Sequence, residues 1–408
     1  MPTILKGAKI FAGTDQEVLE DGFLIIDKGG RIDYVGPNYD LPSGDDIKII
    51  DLKGKFILPG LIDCHIHLDL HGIPNTYEEN LVEDKLRTIR AAREMEETIQ
   101  AGFTTVRNAG SVNHIDISVR QGVENGWING PRILTSGRIL SITCSGTEYF
   151  NGMYRIADGY AEFKKAAREQ LREGADFIKI MATGAFMNPG GIPGAEQPDI
   201  KELQAAVEEA SKLGKYVAAH AHGAQGIKNA ILAGVRTIEH GTFADEEAIA
   251  MMLEKDVFLV PTFAVDYYWL KYGIKGGVPK HMLEKAEEAK GISINSTRMA
   301  LKAGVKIAMG TDAGTPYNYH GGNAIELLIM VKEGLLTPQE AILSATSTAA
   351  KACGLETETG TLEKGKWADL LVVEENPLED ISVLTCKDKI LKVFKEGRLI
   401  KDLDSPSK

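Results

Sequence analysis

Through the middle of the chain, short runs of β-branched and aliphatic residues recur, each preceded by a glycine that ends a stretch of helical spacing. Examples are Ala101-Gly102-Phe103-Thr104-Thr105-Val106, Gly174-Ala175-Asp176-Phe177-Ile178-Lys179, Gly234-Val235-Arg236-Thr237-Ile238 and Gly304-Val305-Lys306-Ile307-Ala308-Met309. A glycine just past a helix end takes the left-handed conformation that stops the helix at little cost. The runs do not alternate with polar residues, so they predict strands buried on both faces. Such strands are expected at 57–65, 104–107, 132–136, 176–182, 215–220, 236–240, 257–261 and 305–311. The clearest intervening helix is 78–100, where Leu81, Leu86, Ile89, Ala92, Met95 and Ile99 fall near helical spacing. Strands alternating with helices predict parallel βαβ units. Eight of them predict an α/β chain folded as a (β/α)8 TIM barrel in preference to an open sheet.

The ends follow a different pattern. Ile4–Ile10, Gly22–Asp27 and Arg31–Gly36 are short strands set off by turn glycines, and Ala368–Val373 and Ile390–Gly397 repeat the style. The expectation is a β-sandwich domain from residues 1–57 and 358–408, flanking a (β/α)8 barrel at 58–357. The tail after Leu403 is expected to fray.

Composition narrows the partners. The 408 residues carry 46 Lys+Arg against 58 Asp+Glu, a net charge of −12, with 43% hydrophobic residues. An acidic balance argues against a nucleic-acid backbone or an anionic membrane as partner. No apolar run approaches the ~18 residues of a membrane span, and Met1–Asp15 lacks a secretory pattern. Cys64, Cys144, Cys353 and Cys386 form no CxxC pair, which suits reduced thiols and a cytoplasmic location. A homo-oligomer is expected, as for many enzymes of this size.

Chemistry gathers where the predicted strands end, the face on which barrel enzymes place their sites. Strand one ends His65-Ile66-His67, strand five His220-Ala221-His222, strand six at His240 and strand eight at Thr311-Asp312. Of nine histidines, five fall at these ends. Residues two apart on a strand point to one side, so His65 and His67 make a natural pair of metal ligands. Lys179 sits inside the apolar run Phe177-Ile178-Lys179-Ile180-Met181, where a bare ammonium is costly and must be paired, neutral or modified. A neutral lysine can react with carbon dioxide to give a carbamate able to bridge two cations. Asp312 alone would suit a helix N-cap; beside a metal cluster it suits a ligand and proton carrier.

The combination resembles the amidohydrolase superfamily, in its two-metal branch with a carboxylated lysine. The resemblance rests on Pro59-Gly60-Leu61-Ile62-Asp63-Cys64-His65-Ile66-His67, Lys179, His220, His240, Gly310-Thr311-Asp312-Ala313-Gly314 and Gly360–Leu370. It implies His65 and His67 on a first metal, His220 and His240 on a second, carboxylated Lys179 bridging both, and Asp312 on the first. It also implies two divalent ions, most naturally zinc, and a hydroxide shared between them as nucleophile. Asp312 would pass the proton to the leaving nitrogen, and His222 would touch the substrate. Ala218-Ala219-His220-Ala221-His222-Gly223 with Ile238-Glu239-His240 resembles the prolidase, Xaa-Arg carboxypeptidase and ochratoxinase-like group. That group carries a Gly-Gly-His segment after strand three; Ser141–Thr147 stands here without the histidine.

The expected substrate is therefore a small N-acyl amino acid or dipeptide with a free carboxylate. Arg107, Arg138, Tyr267 and Tyr268 are candidate anchors by position, and Phe263 and Trp269 candidate pocket walls. With no acid at the strand ends beyond Asp312, an apolar or aromatic leaving residue is expected. The main alternative is a cyclic-amide hydrolase of the imidazolonepropionase type. A mononuclear deaminase conflicts with Lys179, and a non-enzymatic scaffold conflicts with the full ligand set.

Overall fold

The computed structural model describes residues 2–14, 16–37 and 47–404. The end of the tail expected to fray, 405–408, lies outside them. Two sets of parallel strands form the centre. One arc pairs Leu61–Ile66, Phe103–Asn108 and Arg132–Thr135. The other runs in the order Tyr154–Ile156, Ile139–Ser141, Ile178–Met181, Val217–Gly223, Thr237–Phe243 and Phe258–Val260. Helices alternate with these strands, giving a TIM-barrel-like α/β fold. Gly174, Gly234 and Gly304 close their helices in the left-handed region, as the recurring phrase predicts.

The ladders are two arcs, not one unbroken barrel. A few backbone hydrogen bonds span the gaps, from the Asp176 amide to Thr135 O (2.7 Å) on one side and, on the other, through the last segment, from the Cys64 amide to Met309 O (2.9 Å) and from the Asp312 amide to His65 O (2.7 Å). The eighth strand expected at 305–311 is reduced to bridges at Ile307 with Leu259 and at Ala313 with Ile66. Two features account for this. Asp312 turns to φ 58°, and the Thr311 amide donates to the Asp63 carboxylate at 3.1 Å in place of a neighbouring strand.

The predicted strand 57–65 divides at Gly60. Phe56–Pro59 pairs antiparallel with Leu370–Val373, whereas Leu61–Ile66 pairs with Phe103–Asn108. The Gly60 amide bonds Asp369 O and the next amide bonds Gly102 O, so the chain changes partners within one peptide unit. Phe56–Pro59 thus belongs to one continuous eight-stranded sheet built from both chain ends. Leu5, Ile10, Leu24, Ile57, Leu370, Val372 and Phe394 fill its core.

The predicted helix 78–100 is a 3-10 turn at Thr76–Leu81 followed by a helix at Asp84–Gln100. Leu81, Leu86 and Ile89 are exposed, and the buried face is Arg87, Ala91, Met95, Thr98 and Ile99. Buried Glu79, in the 3-10 turn, accepts the His71 amide and ties the turn to that segment. All four cysteines are free, with Cys64 and Cys353 meeting at 3.7 Å between sulfurs in the core. Among the described residues, no helix is long and apolar enough to cross a membrane.

Candidate active site

The strand ends meet at a cavity that contains His65, His67, Lys179, His220, His222, His240 and Asp312. Two sets of potential ligand atoms, each mutually within 4.8 Å, face it: His65–His67–Asp312 and His220–His222–His240. The sets adjoin, with the His65 and His240 ring centres 5.0 Å apart. Lys179 is 2% exposed, and its charge acts on histidines of both sets. All seven side chains that sequence reasoning assigned to metal and catalysis therefore share one cavity.

Each ring is held from behind. The His67 Nδ1 donates to the Gly110 carbonyl at 2.9 Å, which leaves a lone pair on Nε2. Nδ1 of His65 meets Glu239 at 2.8 Å, Nδ1 of His222 meets the Thr242 hydroxyl at 2.8 Å, and Nδ1 of His240 meets the Thr262 hydroxyl at 2.7 Å. Such outer partners fix ring orientation and raise ligand basicity. Buried Nε2 of His220 and Oδ1 of Asp312 have no hydrogen-bond partner. A buried polar atom without a partner is costly. Here each orphan belongs to one of the two ligand sets that line the cavity, and imidazole with carboxylate is a donor set that suits zinc. The residues present fit a divalent metal centre.

The backbone carries the same mark. His240, Thr262 and Asp312 have φ of 71°, 70° and 58°. Left-handed conformations in non-glycine residues cost on the order of 1–3 kcal/mol and cluster at functional sites. Gly310 lets the last segment approach, since a Cβ there would lie 2.9 Å from that of His65.

Burial keeps four of the cavity histidines neutral. Burial lowers His67 to about 4 and His222 to about 3, and His220 and His240 fall well below the usual range through burial and neighbouring imidazoles. Burial also lowers Lys179 to about 8, against the pull of Glu239 and Asp312. Burial opposes the charge of Glu239, but Arg107, His65 and Lys179 outweigh it and hold the carboxylate well below its usual range. A pH response follows. Unfolded imidazoles titrate near ~6.5, so between that value and about 4 the unfolded chain binds protons that folded His67 refuses. Stability must fall as pH falls through this window. The metal-free protein is expected to lose about 2 kcal/mol for each such histidine between pH ~6.5 and ~5. Denaturant titrations at several pH values check this, and a flat profile would contradict it.

The proposed anchors sit elsewhere. Arg107 is fully buried behind the ligands, pairing with Glu239 at 2.8 Å and donating to Cys64 O at 2.6 Å. Arg138 donates to the Tyr154 carbonyl outside the cavity lining. Tyr267, 40% exposed, and Tyr268 do not line the cavity, because the helix Phe263–Tyr272 turns Val265, Asp266 and Trp269 inward. Of the predicted aromatic walls, Trp269 lines it and Phe263 is buried at the helix start.

Sequence reasoning passed over Asp63, Glu239, Thr242, Thr262 and Asp266. Asp63 accepts from the amides of His65 and Thr311 and from the side chains of Thr311 and Asn323, tying the His65–His67 segment to the Asp312 segment. Asp63 and Glu239 carry the same signal as Lys179, a charge inside an apolar strand.

A cavity at the strand ends of an α/β fold, with two histidine-rich ligand sets and buried carboxylates, defines a metal-binding hydrolase. The chain matches the Amidohydrolase family over residues 56–400, and it belongs to that family. It is 33% identical over 429 residues to ochratoxinase from Aspergillus niger, covering 98% of this chain and 86% of that protein. Among solved structures, a Xaa-Pro dipeptidase with bound methionine matches at TM-score 0.90 and 34% identity, over 98% of this chain and 99% of that one. A prolidase complexed with N-methylphosphonate-L-proline matches at TM-score 0.90 and 33% identity, over 98% and 100%. The chain is thus a hydrolase of the prolidase and ochratoxinase-like group.

Proposed function

We propose that the protein hydrolyses the amide C–N bond of dipeptides or N-acyl amino acids, with two divalent cations held in the cavity. His65, His67 and Asp312 would hold one, His220 and His240 the other, and Lys179, carboxylated on Nζ, both. The observation that carries this reading is the meeting of two ligand sets around one buried lysine. Bound cations supply Lewis-acid polarisation of the carbonyl and water activated near neutral pH.

The chain's own groups do the rest. Asp312 Oδ1 lies 3.6 Å from His65 Nε2 and 3.4 Å from His67 Nε2 and is otherwise unbonded, so it is placed to take a proton and return it to the leaving nitrogen. Thr242 orients His222, which steadies the developing oxyanion. Leu70, Phe150, Met153, Met181, Phe186 and Trp269 keep bulk water from the reacting centre. Tyr154 and Asn188, neighbours in the wall, are neutral donors for the substrate carboxylate.

Elemental analysis of gently purified protein is expected to give about two divalent ions per chain. Absence of metal, even after metal is added back, would overturn the reading. His222→Asn should keep both ions and lose ~10²-fold in kcat, the scale of one transition-state donor. The ring of His222 is 4.7 Å from that of His240, as close as His220 is, so loss of metal in this variant would exchange the roles of His220 and His222. A panel of dipeptides, N-acyl amino acids and cyclic amides tests the substrate class. The chain is also 28% identical to an imidazolonepropionase from Rhizorhabdus wittichii over 90% of its length, and a clear preference for cyclic amides would select that chemistry instead.

A further inference from the structure

Asp266 is the cavity's one carboxylate outside the ligand sets. It stands four residues past Thr262, in the first turns of the helix Phe263–Tyr272. Among the described residues no cation pairs with it and no donor reaches it, and burial alone pushes its carboxyl up to about 7. A helix start would normally help an acid at this place. Here the first amides are already taken, because Glu326 accepts from Phe263 N at 2.8 Å and from Ala264 N at 2.7 Å. The helix therefore leaves Asp266 without compensation. The same cavity wall holds Phe186, Met187 and Trp269, which belong to one apolar cluster with the neighbouring Val265. One unpaired carboxylate in a largely apolar wall receives a cation by ion pairing, and the aromatic rings of the same wall can add cation–π attraction.

We propose that Asp266 is a specificity-determining residue that selects amide substrates carrying a positive charge near the scissile bond, an ammonium or a guanidinium. The inference rests on the hydrolase reading above and adds a cationic group to the substrate it takes. The charge can come from the free amino terminus of a dipeptide or from a basic side chain of either residue. Both sources present the same chemistry, a hydrogen-bonding cation that Asp266 alone in the wall can neutralise.

The test uses the metal-loaded enzyme and matched substrates. One pair is a free dipeptide and its N-acetyl derivative; the other is a dipeptide ending in lysine and its norleucine counterpart. In at least one pair the cationic member should show kcat/KM ~10-fold or more above the neutral one, and which pair responds identifies the source of the charge. Asp266→Asn should abolish that preference while leaving the neutral member within ~3-fold of wild type. Asp266→Glu should retain the preference. A wild-type measurement guards against a misfolded variant: N-acetyl-lysine and N-acetyl-norleucine are compared as inhibitors, as are a free dipeptide amide and its N-acetyl form. The cation should inhibit more strongly in the responding pair. Turnover of the neutral members with no preference in either pair would overturn the inference and leave the hydrolase reading standing. An equal loss on both members in Asp266→Asn would make Asp266 merely structural. Failure to hydrolyse any amide would sink the hydrolase reading and this inference with it.

Discussion

Lys179→Ala is expected to bind about one divalent ion per chain and to lose ~10²–10³-fold or more in kcat/KM, the largest effect of any single substitution outside the imidazole ligands. Lys179 is enclosed by His67, His220, His222 and His240, all of which burial holds neutral, with only Glu239 and Asp312 to favour its charge. Its amine is lowered to about 8, so a nucleophilic fraction exists near neutral pH and can take up carbon dioxide. On the proposed reading, a carbamate would turn a cation that repels metals into an anion able to hold them. A short carboxylic acid added to Lys179→Ala should therefore restore part of the metal and part of the rate. Lys179→Arg should not recover either, since a guanidinium stays charged and cannot be carboxylated in this way. Metal analysis with kinetics on the same preparations checks all three variants. Near-normal turnover by Lys179→Arg would refute the carbamate.

Arg107→Met should destabilise the protein by about 3–5 kcal/mol, the scale of leaving one partner of a buried pair uncompensated. Arg107 and Glu239 are both fully buried and joined at 2.8 Å. The other Glu239 oxygen holds His65 Nδ1 at 2.8 Å. Losing the guanidinium thus leaves a buried carboxylate that must rise toward protonation, and a protonated Glu239 no longer fixes the His65 ring. Metal affinity should drop ~10–100-fold as a consequence. Removing both charges together, in Arg107→Met with Glu239→Gln, should cost less stability than the sum of the two single changes, because no unpaired charge remains. Denaturant unfolding of the metal-free forms, with metal titrations beside it, measures both effects. Additive losses would show that the pair is not coupled.

Much of the site was legible in the chain. HxH at the end of an apolar run, the second HxH, a lone histidine, a lysine between aliphatic residues and Gly-Thr-Asp after a glycine-led strand all project into one cavity. Strand alternation and the shared end of parallel strands require that convergence. The glycine stops marked helix ends correctly because left-handed closure is a local matter. Helix 78–100 and strand 305–311 were misread for reasons that lie outside their own residues. Buried Glu79 holds the Thr76–Leu81 turn to the His71 amide apart from the helix that follows, and Asp63, nearly 250 positions from Thr311, draws away the amide that a strand would have paired.

The distinction between what the sequence determined and what tertiary structure decided follows range. Periodicity and strand-end chemistry depend on residues a few positions apart, so fold class and the ligand set could be read directly. Whether a given arginine faces substrate or braces a ligand depends on a partner far along the chain: Arg107 meets Glu239 132 positions later. The same holds for Asp266. In sequence it is one more acid on a helix. Only the packing of that helix over the strand ends, with Glu326 already on its first amides, leaves the carboxylate in the cavity without a partner.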